Sequence, residues 1–367
     1  MPVLHSPPPV THTGCVGCAG TCDGGDEMKV YGDQDADISY ISKKVVAILG
    51  YGNQGRAQAL NLRDSGVSVV VGNIEDSYAQ TARSDGFEVY SPAEAAQRGD
   101  ILALLVPDEV QAEIYATSIA PHIRPRQVLD FAAGYNIHFG LIRPPADVDV
   151  IMVAPRMIGV NVRRAFETGG GVPAFVDVWQ NASGQGMEIA LAFAKGIGAT
   201  RAGVLPVSFR DEVEIDLFTE QALWPAIVNA LVTSYELLVE KGYAPEAVLM
   251  ELWGTGEAAE IMTEMARTGL FRQMTYHSRT SQYGTLTNFD RVIPGGLKAN
   301  FETALERIRS GKFAEEFAEE KHRDYPVYQE LRKKALAHSL NEVEDKVRNF
   351  LDMAFKAGTH QKAAAHS

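Results

Sequence analysis

Three acidic residues, Glu212, Asp216 and Glu220, are candidates for chemistry by type and spacing. At i, i+4 and i+8 in a predicted helix they stack on one face. Like charges at that spacing repel, and a bound divalent cation removes the repulsion. Hard carboxylate oxygens suit Mg²⁺ or Mn²⁺, with water completing an octahedron. A solvated acidic face is the competing reading. Ile215, Leu217 and Phe218 beside them imply a largely buried helix. Glu251, inside Leu249-Met250-Glu251-Leu252-Trp253, is another carboxylate in an apolar setting, with a helix edge or an arginine partner as its plain alternative.

A second constellation is Gly50-Tyr51-Gly52-Asn53-Gln54-Gly55. The apolar run Val45–Leu49 precedes it and a helix-compatible segment, Arg56 to Asp64, follows. Strand, glycine turn and helix in that order form the dinucleotide-binding fingerprint. Gly50 permits the tight turn, Gly52 lets backbone approach a pyrophosphate, and Gly55 allows close helix–sheet packing at a helix N-terminus that favours phosphate. A glycine-rich turn in an ordinary α/β domain is the alternative. A nicotinamide-type domain together with Mg²⁺ ligands points to metal-assisted carbonyl reduction.

The elements that must position these residues follow from the apolar pattern. Strands are expected at Val67–Val71, Ile101–Val106, Val128–Phe131 and Val148–Val153, with Gly171–Val176 and Thr200–Val204 as two more. Near-continuous apolar strands separated by helices imply a parallel sheet covered on both faces. Pro107-Asp108, Ala133-Gly134 and Pro155-Arg156 then fall at the carboxyl ends of strands, where ligands bind. After Pro206, helical spacing dominates near 210–240, 245–268, 299–310, 313–321 and 325–356. The expected organisation is an extension over 1–27, an α/β dinucleotide-binding domain of Rossmann type over 28–205, an all-helical domain over 206–356 and a tail over 357–367.

Composition agrees with two globular domains: 367 residues, 46% hydrophobic and 22% charged. The net charge of −13 argues against a general nucleic-acid or anionic-membrane surface. No apolar run reaches the roughly 18 residues of a membrane span, and no basic-then-apolar leader opens the chain, so a cytoplasmic protein is expected. The three cysteines, Cys15, Cys18 and Cys22, lie near the N-terminus. Their C-x-x-C spacing, with His5 and His12, invites a metal reading. A disordered tail bearing thiols is the plainer one, because a structural site usually needs four ligands.

Taken together, these stretches resemble the ketol-acid reductoisomerase (acetohydroxyacid isomeroreductase) family. The likeness runs through Gly50–Gly66, Val106–Gln111, Gly134–Phe139 with Pro144-Pro145, Asp211–Gln221 and Ser281–Gly284, in one register over roughly 28–355. It implies a knotted helical domain, Mg²⁺, a nicotinamide cofactor and a homodimer or larger homo-oligomer. It also implies a two-step reaction: alkyl migration in a 2-hydroxy-3-keto acid such as acetolactate, then reduction of the resulting 2-keto acid. By position, Asp216 matches the aspartate bridging two metals, Glu220 a ligand of the first, and Glu251 a ligand of the second from across the subunit interface. Glu212 matches the acidic residue one turn earlier, and Ser278 the serine contacting the substrate carboxylate.

The chain departs from the family pattern in three places. Ala133 stands where the family has histidine, Arg156 where it has lysine, and Thr255 where it has a second interfacial glutamate; Glu257 and Glu260 lie nearby. Arginine clamps a carboxylate but does not readily exchange a proton near neutrality. These changes favour a diverged reductase in which isomerisation is weak or lost. A complete ketol-acid reductoisomerase of branched-chain amino acid biosynthesis and an inactive binding homologue are the alternatives. His138 reads as a packed histidine, and His277 as a weaker substitute for the lost imidazole. The loop Asn73-Ile74-Glu75-Asp76-Ser77 has no arginine; Glu75 and Asp76 would repel a 2′-phosphate and accept from ribose hydroxyls. NADH is therefore expected over NADPH, with Ser77 holding a phosphate as the alternative. Cofactor contacts are expected at Gly50, Tyr51, Gly52, Asn53, Gln54, Gly55, Asn73, Glu75, Asp76, Ser77, Pro107, Asp108 and Gly134.

Overall fold

A computed structural model describes residues 28–289, 291–293, 295–349 and 351. The expected N-terminal extension, with its cysteines and histidines, and the C-terminal tail lie outside the described residues. By packing, the chain divides into two compact units at Ile215/Asp216, within a helix.

The first unit is built on an eight-stranded sheet of order β3-β2-β1-β4-β5-β6-β7-β8. After a helical turn α1 (Ser39–Ser42), β1 (Val45–Leu49), α2 (Asn53–Asp64), β2 (Ser68–Gly72), α3 (Ser77–Ser84), β3 (Val89–Tyr90), α4 (Pro92–Arg98) and β4 (Ile101–Leu104) form the first half. Then come α5 (Asp108–Ile114), β5 (Val128–Phe131), α6 (Tyr135–His138), β6 (Asp149–Pro155), α7 (Gly159–Glu167), β7 (Ala174–Gln180), α8 (Gly186–Gly196) and β8 (Val204–Pro206). The first six strands have the doubly wound dinucleotide-binding order. Strands β1, β4, β5 and β6 are buried on both faces, which explains their unbroken apolar sequence. The expected segment Thr200–Val204 proves to be a single 3₁₀ turn, Ala199–Arg201, followed by β8. The two-residue strand β3 was too short to carry a sequence signal.

The sheet is not wholly parallel as expected: β7 runs antiparallel to β6, with Pro155 opposite Ala174. Helix α7 packs against α2 instead of crossing back over the sheet. The chain therefore re-enters at the end it left, and Arg156 N–H donates to Pro173 O at 2.9 Å.

Helix α9 (Phe209–Phe218) leads out of the first unit, and the second contains α10 (Trp224–Glu240), α11 (Pro245–Leu249), α12 (Glu257–Thr268), α13 (Arg279–Asn288), α14 (Leu297–Arg309), α15 (Lys312–His322) and α16 (Pro326–Leu336). A π-helical turn, Thr219–Leu223, separates α9 from α10. Pro225 is the local reason, since it removes an amide donor and crowds the preceding turn. The expected helix over 245–268 is broken at Gly254-Thr255-Gly256, where Gly256 has φ +86°. The one expected over 325–356 is interrupted at 337–339. Helix α13 went unforeseen. Tyr235, Val248, Leu249, Val343 and Val347 form a small core in this unit. Many large side chains stay exposed, including Trp224, Val228, Leu237 and Phe289. Contrary to the sequence expectation, the helical run Phe209–Glu240 is long and apolar enough, by length and composition alone, to match a membrane span.

Candidate active site

The glycine turn meets the steric demands of a pyrophosphate cradle. Gly50 has φ +98°, and a Cβ there would sit 2.7 Å from Val106 Cγ1. A Cβ on Gly55 would lie 2.0 Å from Gly50 O, so α2 can approach β1 only with glycine at this position. At Gly52 the space a Cβ would enter is open. Gly52 is also the N-cap of the twelve-residue α2 and makes no side-chain cap. Open backbone amides beside vacant space at a helix N-terminus fit a dinucleotide phosphate.

The other expected cofactor residues divide by what already engages them. Tyr51 N–H donates to Asn73 Oδ1 at 3.1 Å, and its hydroxyl donates to Asp85 Oδ2 at 3.0 Å. Its ring is buried against Phe87, and burial pushes the phenol pKa up. Both donors of Tyr51 are spent on holding the turn. Asn53 Oδ1 accepts from Val160 N–H at 3.2 Å, and Gln54 Nε2 donates to Met157 O at 2.7 Å, so these two side chains brace the turn against the loop before α7. Asp76 caps α3: its Oδ1 accepts from Tyr78 N–H, Ala79 N–H and Asn73 Nδ2. That oxygen serves as the cap of the helix. Glu75 is well exposed and Ser77 opens α3.

At the ends of β4 and β5 the structure supplies two residues that sequence reasoning passed over. Asn136 is fully buried, and its Nδ2 donates to Asp108 O at 3.1 Å. Gln111 Nε2 donates to Leu104 O at 3.2 Å and Val106 O at 3.3 Å. These amides fasten the Val106-Pro107-Asp108 turn next to Gly134-Tyr135. The available signal was an amide side chain within an apolar stretch at a strand end. His138 is partly buried beside Phe139, and burial lowers its pKa, as a packed histidine requires.

Glu212, on α9, is 1% exposed. Its Oε1 accepts from Arg156 Nη1 at 2.8 Å and its Oε2 from Gly134 N–H at 2.8 Å. The Arg156 guanidinium also sits 4.9 Å from the Phe175 ring centroid. Charge-assisted bonds on both oxygens satisfy a buried carboxylate. The Glu212 charge is thus met by an arginine, and no cation is needed to explain its place in the acidic series. A Cβ on Gly134 would lie 2.6 Å from Phe209 O, so the site end of β5 packs directly on α9.

In the second unit, Asp216 is half-buried, while Glu220, in the π-helical turn, is exposed. Glu251 is exposed and lines a cavity of about 450 Å³ together with Glu257 and His277. His277 Nε2 is hydrogen-bonded to Gln273 Oε1 at 2.9 Å. Thr255 Oγ1 donates to Met250 O at 3.3 Å and so closes its own turn, whereas Glu257 shares the cavity wall with Glu251 and Glu260 does not. Ser278 is the N-cap of α13, its Oγ accepting from Ser281 N–H at 3.2 Å. Among the described residues, no group of three His, Cys, Asp or Glu side chains converges within one chain as a metal site. The donor chemistry of Asp216 and Glu220 nonetheless suits a hard cation that retains water ligands.

Residues 40–203 match the family model for the acetohydroxy acid isomeroreductase NADPH-binding domain, and residues 209–353 match the ketol-acid reductoisomerase C-terminal domain. The chain belongs to the ketol-acid reductoisomerase family. Members of this family are NAD(P)H-dependent oxidoreductases. The chain is 43% identical over 325 residues to the ketol-acid reductoisomerase (NADP(+)) of Pyrobaculum neutrophilum, covering 88% of this chain and 99% of that one. The Pyrobaculum aerophilum protein of the same name is 42% identical, with 88% and 98% covered. Among solved structures, an NADH-preferring ketol-acid reductoisomerase from an uncultured archean superposes with a TM-score of 0.84 at 38% identity, over 88% of this chain and 99% of that one. A putative oxidoreductase from Jannaschia sp. CCS1, at 17% identity and TM-score 0.55, shares the fold alone.

Proposed function

We propose that this protein is a complete ketol-acid reductoisomerase, acting on a 2-hydroxy-3-keto acid such as 2-acetolactate. The observation that carries the reading is the near-full-length, single-register match to relatives named for that activity, 98–99% of whose length is spanned. It weighs against the reductase-only reading drawn from Ala133, Arg156 and Thr255. The geometry supports the same conclusion at one of those positions. Arg156 retains a fixed positive charge at the end of β6, held by Glu212.

When bound, the nicotinamide supplies hydride and Mg²⁺ supplies Lewis-acid polarisation. Asp216 and Glu220 would hold the metal, with Glu251 contributed by a second copy. Ser278 would orient the substrate carboxylate. Arg156 would clamp substrate oxygen without exchanging a proton. The Gly50–Gly55 turn and the Val106–Asp108 turn would hold the dinucleotide. NADH is the proposed preferred cofactor, because Glu75 stands where a 2′-phosphate would bring its charge; the relatives named above include both NADP(+) enzymes and an NADH-preferring one. A homodimer or larger assembly would cover the exposed apolar side chains of the second unit.

The test is NADH and NADPH oxidation with Mg²⁺ on two substrates in parallel, 2-acetolactate and 3-hydroxy-3-methyl-2-oxobutanoate. Turnover of both is expected. Turnover of only the second would return the protein to the reductase-only class.

A further inference from the structure

The loop after β2 holds a second charged residue that bears on cofactor choice. Arg83, in the last turn of α3, forks onto Glu75: Nη1 lies 3.0 Å from Oε2 and Nη2 2.5 Å from Oε1. Asn73 ties this loop to the glycine turn through Tyr51 N–H, and Asp76 fixes the start of α3. The carboxylate and guanidinium therefore sit on a braced scaffold at the end of the second strand, where the adenosine ribose is read in dinucleotide-binding folds. Arg83 is 44% and Glu75 75% exposed on their side chains. An ion pair this exposed contributes little to folding, so stability does not account for it. Arginine is also the side chain best matched to a phosphate, through the same two-pronged donor geometry that it here gives to Glu75. The neighbouring Arg56 is held in the same way by Asp85, at 2.7 Å.

We infer that Glu75 sets cofactor choice through Arg83 as well as by direct repulsion: the carboxylate occupies the guanidinium that would otherwise grip a 2′-phosphate. The inference deepens the proposed NADH preference and rests on it. Sequence alone concealed the device, because Arg83 is eight residues beyond Glu75 and outside the loop; two helical turns bring the fork closed.

The experiment measures binding of adenosine 2′,5′-bisphosphate and of 5′-AMP by calorimetry, and kcat/KM for NADPH and NADH, in wild type, Glu75→Gln, Arg83→Gln, the double variant and Glu75→Gln/Arg83→Lys. Wild type is expected to favour NADH and to bind the bisphosphate no better than 5′-AMP. Glu75→Gln is expected to gain at least tenfold for the bisphosphate. The double variant with glutamine at both positions is expected to lose most of that gain, and the lysine version to keep part of it. An equal gain with and without Arg83 would overturn the inference and leave repulsion as the whole effect. No gain in Glu75→Gln would overturn it as well. A wild-type preference for NADPH would instead refute the cofactor reading itself, and that result is visible before any variant is compared.

Discussion

The sheet unit and the helical unit carry their candidate functional residues in opposite ways. In the first, the groups at the strand ends are buried and already partnered: Gly55 against Gly50, Asn136 on Asp108, and Glu212 between Arg156 and Gly134. In the second, Glu220, Glu251 and Ser278 are exposed, and the local core is small. A preformed cradle can receive a cofactor from a single chain. In the proposed reading, the exposed carboxylates would take their final geometry from what binds to them: metal, substrate and a second copy. Substitutions of the partnered groups in the sheet unit should therefore register in unfolding, and those in the helical unit in turnover and assembly.

The sharpest test of that contrast is Asp216→Ala. It should lower kcat by about 100-fold or more, the scale of losing a group that stabilises developing charge, while the thermal midpoint without metal stays close to wild type. Removing Mg²⁺ by chelation should have the same effect on wild-type activity and none on the variant's residual rate. A large loss of stability in Asp216→Ala would break the comparison.

Next in size is the pair of glycines. Gly55→Ala forces a methyl into Gly50 O and should cost about 3 kcal/mol, from overpacking, read from urea unfolding. Gly52→Ala meets no neighbour and should leave stability nearly unchanged while weakening NADH binding about tenfold, because the methyl enters the space for phosphate. Similar unfolding curves for the two variants would remove the steric argument for the turn.

Glu212→Gln should follow, destabilising by about 2 kcal/mol. This is below the range for fully buried pairs, because Arg156 keeps some contact with water. The measurement is the urea midpoint alongside kcat. A change in kcat alone would move Glu212 from the structural group to the catalytic one.

The smallest effect is expected from Asp130. This carboxyl is fully buried in β5, and the backbone amides of Val153 and Phe131 offset only part of the cost of its charge. Burial raises its pKa well above the ordinary value. The folded state therefore holds a proton that the unfolded chain releases at about pH 4. Its contribution to stability is intact below that range and is lost as pH rises toward the folded value. Asp130→Asn should stabilise the protein by about 1 kcal/mol at pH 8 and by less at pH 5, from unfolding curves at the two pH values.

Much of the first unit was legible in the chain. The Val45–Leu49 run, the Gly50–Gly55 turn and the apolar strands at 101, 128 and 149 carry local signals, because a doubly covered strand must be apolar and a backbone that approaches phosphate must lack Cβ. The antiparallel β7 was not legible, since its direction depends on where α7 packs. Nor was the π-helical turn at Thr219–Leu223, although Pro225 in the sequence marks the cause. The acidic series on α9 was visible as a spacing, but a spacing does not disclose partners: Arg156 lies 56 residues from Glu212, and only the meeting of β6 with α9 joins them.

By itself, the sequence determined the fold class, the glycine turn, the family and the residue types proposed for metal and substrate. All of these rest on local patterning or on a register shared along the chain. Tertiary structure alone decided which charges are already neutralised, which amides brace the strand ends, and that Arg83 is held by Glu75. Those outcomes depend on distances between side chains remote in sequence, and these are set by the packing of helices on the sheet and by the turn of α3.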